Sequence, residues 1–382
     1  MTKRRYDFDW LRTFVIINLI PFHVVWLMLF FPSQSQVGND GIVATLLQVY
    51  MLEVAPWHMP LLFLIAGYSA AISLSRRSFY RYLVERLQRL VVPLTSYVVI
   101  IGPTMRYFWP ERAAPRGVID FVFSFLPDHF KSLTLCCYFD HLWFIFYLLL
   151  FNLTVLPILV KINADRMRRV AAYITRHCVW LPIAIFATAM ATVGRYWPLL
   201  LRDPDLIHDW GYFTYNLVAF ILGYFLFVDQ KLGITINSKF RLWIALFLGS
   251  SVIRIVLLMQ YQESFYDAPE FGQHLIFSIV TGAHTWSAVS LVLAAGHRYL
   301  ANTCHAFVLY MKNASLPFYI LHWPILLILG NYLAPLRLGF LPSFFLLIVL
   351  NVLATTLIYE FLVKPWSLIQ FLLGVKIKAS KI

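Results

Sequence analysis

The sequence predicts an all-α polytopic membrane protein with about ten transmembrane helices and both termini in the cytoplasm. Three observations lead there. Of 382 residues 60% are hydrophobic and only 13% charged, with a mean hydropathy of +0.72, whereas soluble domains carry about 25% charged residues. Apolar runs long enough to cross the hydrocarbon core, roughly 20 residues each, recur along the whole chain. The segments between them alternate in charge, as topology demands of cytoplasmic and outer loops.

The predicted spans are 10–31, 57–75, 90–109, 141–160, 178–197, 211–228, 240–260, 274–295, 315–333 and 341–362, read as one transmembrane domain over 1–382. Basic residues mark alternate segments. Lys3, Arg4 and Arg5 precede the first span, Arg76, Arg77, Arg81, Arg86 and Arg89 follow the second, and Lys161, Arg166, Arg168, Arg169 and Arg176 follow the fourth. The series continues through Lys231, Lys239 and Arg241, then Arg298 and Lys312, then Lys364, Lys376, Lys378 and Lys381. The intervening segments carry carboxylates instead, among them Asp40, Glu53, Glu111, Asp140, Asp209 and Glu270. Two of these outer segments, 32–56 and 110–140, are long enough for short interfacial helices around Ile42–Leu52 and Val118–Leu126. Trp109, Trp197 and Trp210 fit an aromatic belt at the span ends. The basic N-terminus resembles a signal peptide, but its apolar stretch runs to Phe31 with no small-x-small site after it, so it reads as a retained helix.

The net charge of +13 lies in short loops rather than in a patch interleaved with aromatics, which argues against nucleic acid. The four cysteines, Cys136, Cys137, Cys178 and Cys304, form neither a disulfide framework nor a zinc pattern. No HExxH, GxSxG or Walker loop is present, so neither a metal nor a bound cofactor is expected.

Titratable side chains inside spans carry the functional signal, because each costs at least about 2.5–3.5 kcal/mol to insert and must face a bundle interior or a cavity. His23 lies deep in the first span and Arg12 at its cytoplasmic start. Eleven residues is close to three turns, which puts both on one helix face about 16 Å apart along the axis. That pattern fits a phosphate-bearing donor entering from the cytoplasm with its reactive end near the imidazole. It also fits a topological anchor plus a packed histidine. Arg86 and Arg89, at i and i+3 on a helix, can grip phosphate oxygens bidentately or meet anionic headgroups. His58 and His141 sit at outer span mouths, where an interfacial imidazole is as good a reading as a functional one. His322, His284 and Arg254 lie inside spans, and Glu360 ends the tenth.

Six motifs in order resemble the acyltransferase family 3 membrane proteins, within them the glucans biosynthesis protein C type. They are Asp9-x-Leu11-Arg12 followed by ten residues and His23; Met59-Pro60-Leu61-Leu62-Phe63 leading to Ala66-Gly67-Tyr68; Arg86-x-x-Arg89 with Pro93; His141-Leu142-Trp143-Phe144; Asn313-Ala314-Ser315-Leu316 leading to Tyr319 and His322-x-Pro324; and Tyr359-Glu360 with Pro365 and Gly374. The chain departs from the family at Ala66, where a serine often stands. The resemblance implies a multi-pass enzyme of the cell inner membrane. Such an enzyme moves an acyl group, acetyl or succinyl in class, from cytoplasmic acyl-CoA as co-substrate to a hydroxyl of an extracytoplasmic glycan. It assigns catalysis to His23 and the donor to Arg12, Arg86 and Arg89. Asp9, His58, His141, His322 and Glu360 stand as supporting candidates, Glu360 as a group that would orient Arg12 or a cluster arginine. A succinyl group would want a further cation near His23, for which Arg254 is a candidate only if its helix neighbours the first. The principal rival is a secondary transporter using intramembrane His and Arg as a relay, which predicts inverted repeats that the sequence does not display.

Overall fold

The computed structural model describes residues 5–31, 41–108, 140–192, 210–266 and 271–376. Every regular element among them is helical: the protein is an all-α polytopic membrane protein. In chain order the helices are α1 (Asp7–Phe30), α2 (Gly41–Leu74), α3 (Phe79–Ser96), α4 (Gly102–Tyr107), α5 (Trp143–Lys161), α6 (Ala164–Arg176), α7 (Trp180–Thr192), α8 (Trp210–Val228), α9 (Gln230–Ser238), α10 (Phe240–Tyr266), α11 (Phe271–Leu300), α12 (Ala306–Leu333), α13 (Phe340–Ile358) and α14 (Ser367–Leu372). Among the described residues eight helices are long and apolar enough to cross a membrane, or nine if the pair α6–α7, bent by 94°, forms one span. The described parts of the ten predicted spans fall on helix, short of a residue or two at some ends, while residues 109 and 193–197 lie outside the described residues. The two outside the eight are the α3–α4 run, which is basic at its start, and α7, beyond which lie residues 193–209, outside the described residues.

One expectation is corrected. The interfacial helix foreseen around Ile42–Leu52 is not separate but the first third of α2, a 34-residue helix about 51 Å long. Arg86 and Arg89 lie one turn apart on a helix as expected, on α3, which runs through a π-helical turn at Tyr97–Ile101 into α4. The helix foreseen at Val118–Leu126 lies outside the described residues.

α2 stays helical past Pro56 and Pro60 for a specific reason. A proline lacks the N–H that would bond the carbonyl four residues earlier, so Pro56 frees the Leu52 carbonyl and Pro60 frees that of Pro56. In lipid a bare carbonyl must find another donor. Arg254 Nη1 donates to Leu52 O at 2.9 Å, and Thr285 Oγ1 donates to Pro56 O at 3.2 Å, with Tyr215 Oη at 3.3 Å. Side chains of α8, α10 and α11 thus replace the missing helix bonds.

The chain divides into two compact units, each built from non-consecutive segments: 1–15, 52–84 and 147–309 form the first, and 16–51, 85–146 and 310–382 the second. In the first unit α11 packs against α7 and α10, and α7 also meets α8. Backbones come close where glycine allows it. A Cβ on Gly67 of α2 would strike the Phe220 carbonyl of α8, and one on Gly223 would strike the Leu64 carbonyl of α2, the small-residue contact by which helices associate in lipid. Asn163 caps α6 by accepting from Asp165 N–H, and Asp229 caps α9 through Lys231 N–H while accepting from Thr175 Oγ1 at 2.6 Å. In the second unit Tyr50 Oη donates to Asn18 Oδ1 at 3.0 Å, Asn331 Nδ2 to Phe108 O at 2.5 Å and Asn351 Nδ2 to His322 O at 2.8 Å.

Candidate active site

The second unit brings together three histidines that are far apart in sequence. His23 comes from α1, His141 from the 3₁₀ turn Asp140–Leu142 that leads into α5, and His322 from α12. The ring centroids of His23 and His322 are 4.9 Å apart, and those of His141 and His322 are 5.4 Å apart with the rings perpendicular. Aromatic rings close the surroundings, with Trp323 5.1 Å from His23, and Tyr97 and Tyr319 5.5 and 5.8 Å from His141. His322 is buried. So is His141, so the interfacial reading of this residue does not hold.

The hydrogen bonds assign the tautomers. His322 Nδ1 lies 3.0 Å from Phe318 O, one helical turn back, so Nδ1–H donates and Nε2 keeps the lone pair. His23 Nδ1 lies 2.9 Å from Leu19 O and 3.1 Å from His322 Nε2, two acceptors for one N–H. The neutral His23 so held carries its basic lone pair on Nε2. The two rings form a dyad in which His322 orients and polarises His23, in the way a neighbouring acceptor fixes any catalytic imidazole.

His141 is held by a proline effect like that of α2. Pro324 frees the Ile320 carbonyl, and His141 Nε2 lies 3.1 Å from it, while Tyr319 Oη donates to the His141 carbonyl oxygen. The spacing His322-x-Pro324 thus serves two rings at once.

Arg86 and Arg89 are half-buried neighbours on α3. Arg89 Nε donates to Gly374 O at 3.3 Å. Gly374, at φ +68, packs so closely on α3 that a Cβ would lie 2.7 Å from Pro93 Cγ and 2.8 Å from Arg89 O, the carbonyl that Pro93 frees. Lys376 pairs with Glu85 at 3.6 Å. Glu360, within a π-helical turn at Tyr359–Val363, has a partner other than the one foreseen: Lys364 Nζ at 2.6 Å. The hydrogen bond to Glu360 raises the Lys364 ammonium pKa above its ordinary value.

Asp9, Arg12 and His58 belong to the first unit. Arg12 shares the unbroken helix α1 with His23 and pairs with Asp9 at 4.0 Å. His58 is buried, against the interfacial expectation, with Nδ1 2.8 Å from Val54 O. Arg254 is committed to the Leu52 carbonyl and to Glu53, 3.6 Å away, and His284 Nε2 lies 3.0 Å from Glu53 O. Glu53, read as a carboxylate of an outer segment, lies on α2 and is an interhelical partner of Arg254 on α10. Among the described residues no group of three or more His, Cys, Asp or Glu is arranged to hold a metal ion.

Sequence reading named the three histidines but not their grouping, and it missed Asn351, Trp323 and the contribution of Gly374 to the setting of Arg89. The available signal was proline spacing: each freed carbonyl lies four residues before a proline.

The family model described as an acyltransferase domain, acyltransferase family 3, matches residues 5–360. Glucans biosynthesis protein C of Salmonella paratyphi B (strain ATCC BAA-1250 / SPB7) and of Salmonella agona (strain SL483) are each 23% identical over 355 residues, covering 87% of this chain and 85% of the relative. No solved structure matches. With the match spanning nearly its whole length, the chain belongs to acyltransferase family 3 and is a multi-pass membrane acyltransferase.

Proposed function

We propose that the protein transfers an acyl group, acetyl or succinyl in class, from cytoplasmic acyl-CoA to a hydroxyl of an extracytoplasmic glycan. The observation that carries this reading is the His23–His322 dyad, which fixes a lone pair on His23 Nε2 inside a lipid-embedded unit. The acceptor class follows the name of the relatives, and the orientation follows the basic loops, with both termini in the cytoplasm of an inner-membrane protein.

In the proposed step the acceptor hydroxyl loses its proton to His23 Nε2 as its oxygen attacks the thioester carbonyl carbon. The tetrahedral intermediate then expels the CoA thiolate, which takes up the proton from the imidazolium, leaving ester, free CoA thiol and neutral His23. Arg86 and Arg89 are the donor's phosphate contacts, and Arg12, three turns before His23 on the same helix α1, is a further cation for the donor. Asp9 orients Arg12.

The decisive experiment is His23→Ala in proteoliposomes supplied with acetyl-CoA and a soluble glucan oligosaccharide. Ester formation should fall at least about a hundredfold, the scale of a lost general base, while insertion and thermal stability stay unchanged. Full activity in a correctly inserted variant would sink the assignment. Exchanging Arg86 and Arg89 for Gln should raise the KM for acyl-CoA more than that for the acceptor.

A further inference from the structure

We infer that His141 is a substrate-binding residue whose Nδ1 accepts a hydrogen bond from a hydroxyl of the glycan acceptor. The inference rests on the transferase reading above and assigns a further member of its site.

His141 is held from two directions. Its Nε2–H is committed to the carbonyl that Pro324 frees, and its own carbonyl oxygen accepts from Tyr319 Oη. With Nε2 protonated, the neutral ring must carry its lone pair on Nδ1. That atom is buried, and among the described residues it has no hydrogen-bond partner. A buried acceptor without a donor is costly, and all the more so at membrane depth, where water is scarce. Rotation offers no escape, because a flipped ring would abandon Ile320 O. The structure therefore holds a rigid, desolvated acceptor atom ready for a donor that is not part of these described residues, on the ring that stands perpendicular to His322.

The chemistry and the place select the ligand. Nδ1 of neutral imidazole accepts and does not donate, so its partner carries an O–H or N–H. His141 precedes α5, whose other end is Lys161 in a basic segment, so by charge His141 stands at the outer end of its helix. A sugar presents several adjacent hydroxyls. While one loses its proton to His23, a neighbour donating to His141 fixes which hydroxyl reacts. His141 is thus a specificity-determining contact beside the base.

The test compares His141→Phe, His141→Asn and Pro324→Ala with the wild type in proteoliposomes, using acetyl-CoA and a glucan oligosaccharide of defined length. The readouts are the KM for each substrate, the site of acetylation by mass spectrometry, and acceptor-independent CoA release. His141→Phe should raise the acceptor KM by about tenfold or more, the worth of one hydrogen bond to a buried group, and spread acetylation over more hydroxyls. Its donor KM should be preserved, because the lost contact is to the acceptor. His141→Asn, whose amide oxygen supplies an acceptor near the Nδ1 position, should recover most of the loss. Pro324→Ala returns an N–H to Ile320 O, releases His141 from its fixed tautomer and should reproduce part of the acceptor defect. An acceptor KM unchanged in His141→Phe overturns the inference, as does a parallel loss of CoA release and donor affinity, which marks a purely structural residue. Failure of the wild type to release CoA at all would instead overturn the transferase reading.

Discussion

Replacing Arg254 tests the proposal that intramembrane prolines are tolerated through rescued carbonyls. The guanidinium is 1% exposed, donates to Leu52 O at 2.9 Å and lies 3.6 Å from Glu53 Oε1. Arg254→Met removes both partners at once. Stranding the half-buried Glu53 carboxylate costs up to about 3–5 kcal/mol, and the bare carbonyl contributes to that loss. Adding Glu53→Gln removes the stranded charge but not the bare carbonyl, so the double variant should remain about 1–3 kcal/mol below the wild type, the cost of one unsatisfied buried group. Adding Pro56→Ala restores the N–H that Leu52 O lacks, and the triple variant should return most of the remaining stability. The measurement is equilibrium unfolding in mixed micelles by SDS titration, followed by tryptophan fluorescence. A single variant within about 1 kcal/mol of wild type, or a triple variant no better than the double, would refute the reasoning. Catalysis in the surviving folded fraction should be near normal, because Arg254 serves the helix and not the acyl group.

Three further outcomes follow from close contacts. Gly67→Leu or Gly223→Leu should abolish folded yield by size-exclusion chromatography, since even a Cβ at either position overlaps a carbonyl of the opposing helix; the alanine variants should lose about 1–3 kcal/mol or more. Gly374→Val places a branched residue at φ +68 against Pro93 and Arg89 O, which costs about 1–3 kcal/mol of backbone strain. By loosening Arg89 it should raise the KM for acyl-CoA severalfold in a coupled assay of CoA release. His322→Leu removes the side-chain one of the two acceptors for His23 Nδ1–H, leaving Leu19 O, and should lower kcat by about ten- to a hundredfold with little change in either KM, read in the same assay.

The membrane class was legible because hydrophobicity and loop charge are additive along the chain, and each span declares itself without help from its neighbours. Helix ends were less legible. Ile42–Leu52 was read as a helix separate from the second span, and nothing local announces that Arg254, some two hundred residues later, caps the carbonyl Pro56 frees. Spacing also put Arg12 and His23 on one helix, which α1 bears out. It said nothing of His141 and His322 joining His23, since that grouping depends on which helices are neighbours, a property of packing. The pairing of Arg254 with Glu53 was hidden for the same reason, since it joins two helices far apart in sequence.

These cases share a rule that sorts polar residues in lipid. A side chain whose donors end on a carbonyl four residues before a proline repairs backbone, as Arg254, Thr285 and Tyr215 do for Leu52 and Pro56. Its exchange should register in stability. A side chain tied to another titratable side chain is set up for proton movement, as His23 is by His322, and its exchange should register in kcat. His141 meets the first condition through Nε2, and Nδ1 remains as a second polar atom with no backbone to repair. The repair bond is what makes the spare atom useful: by fixing the ring and its tautomer, the proline-freed carbonyl turns a flexible imidazole into an acceptor of fixed direction. That argues for reading Pro324 as part of the site. It also explains why the effect of Pro324→Ala should fall on the acceptor and on the choice of hydroxyl, while the donor side, which we propose Arg86 and Arg89 on α3 to set, is left as it was.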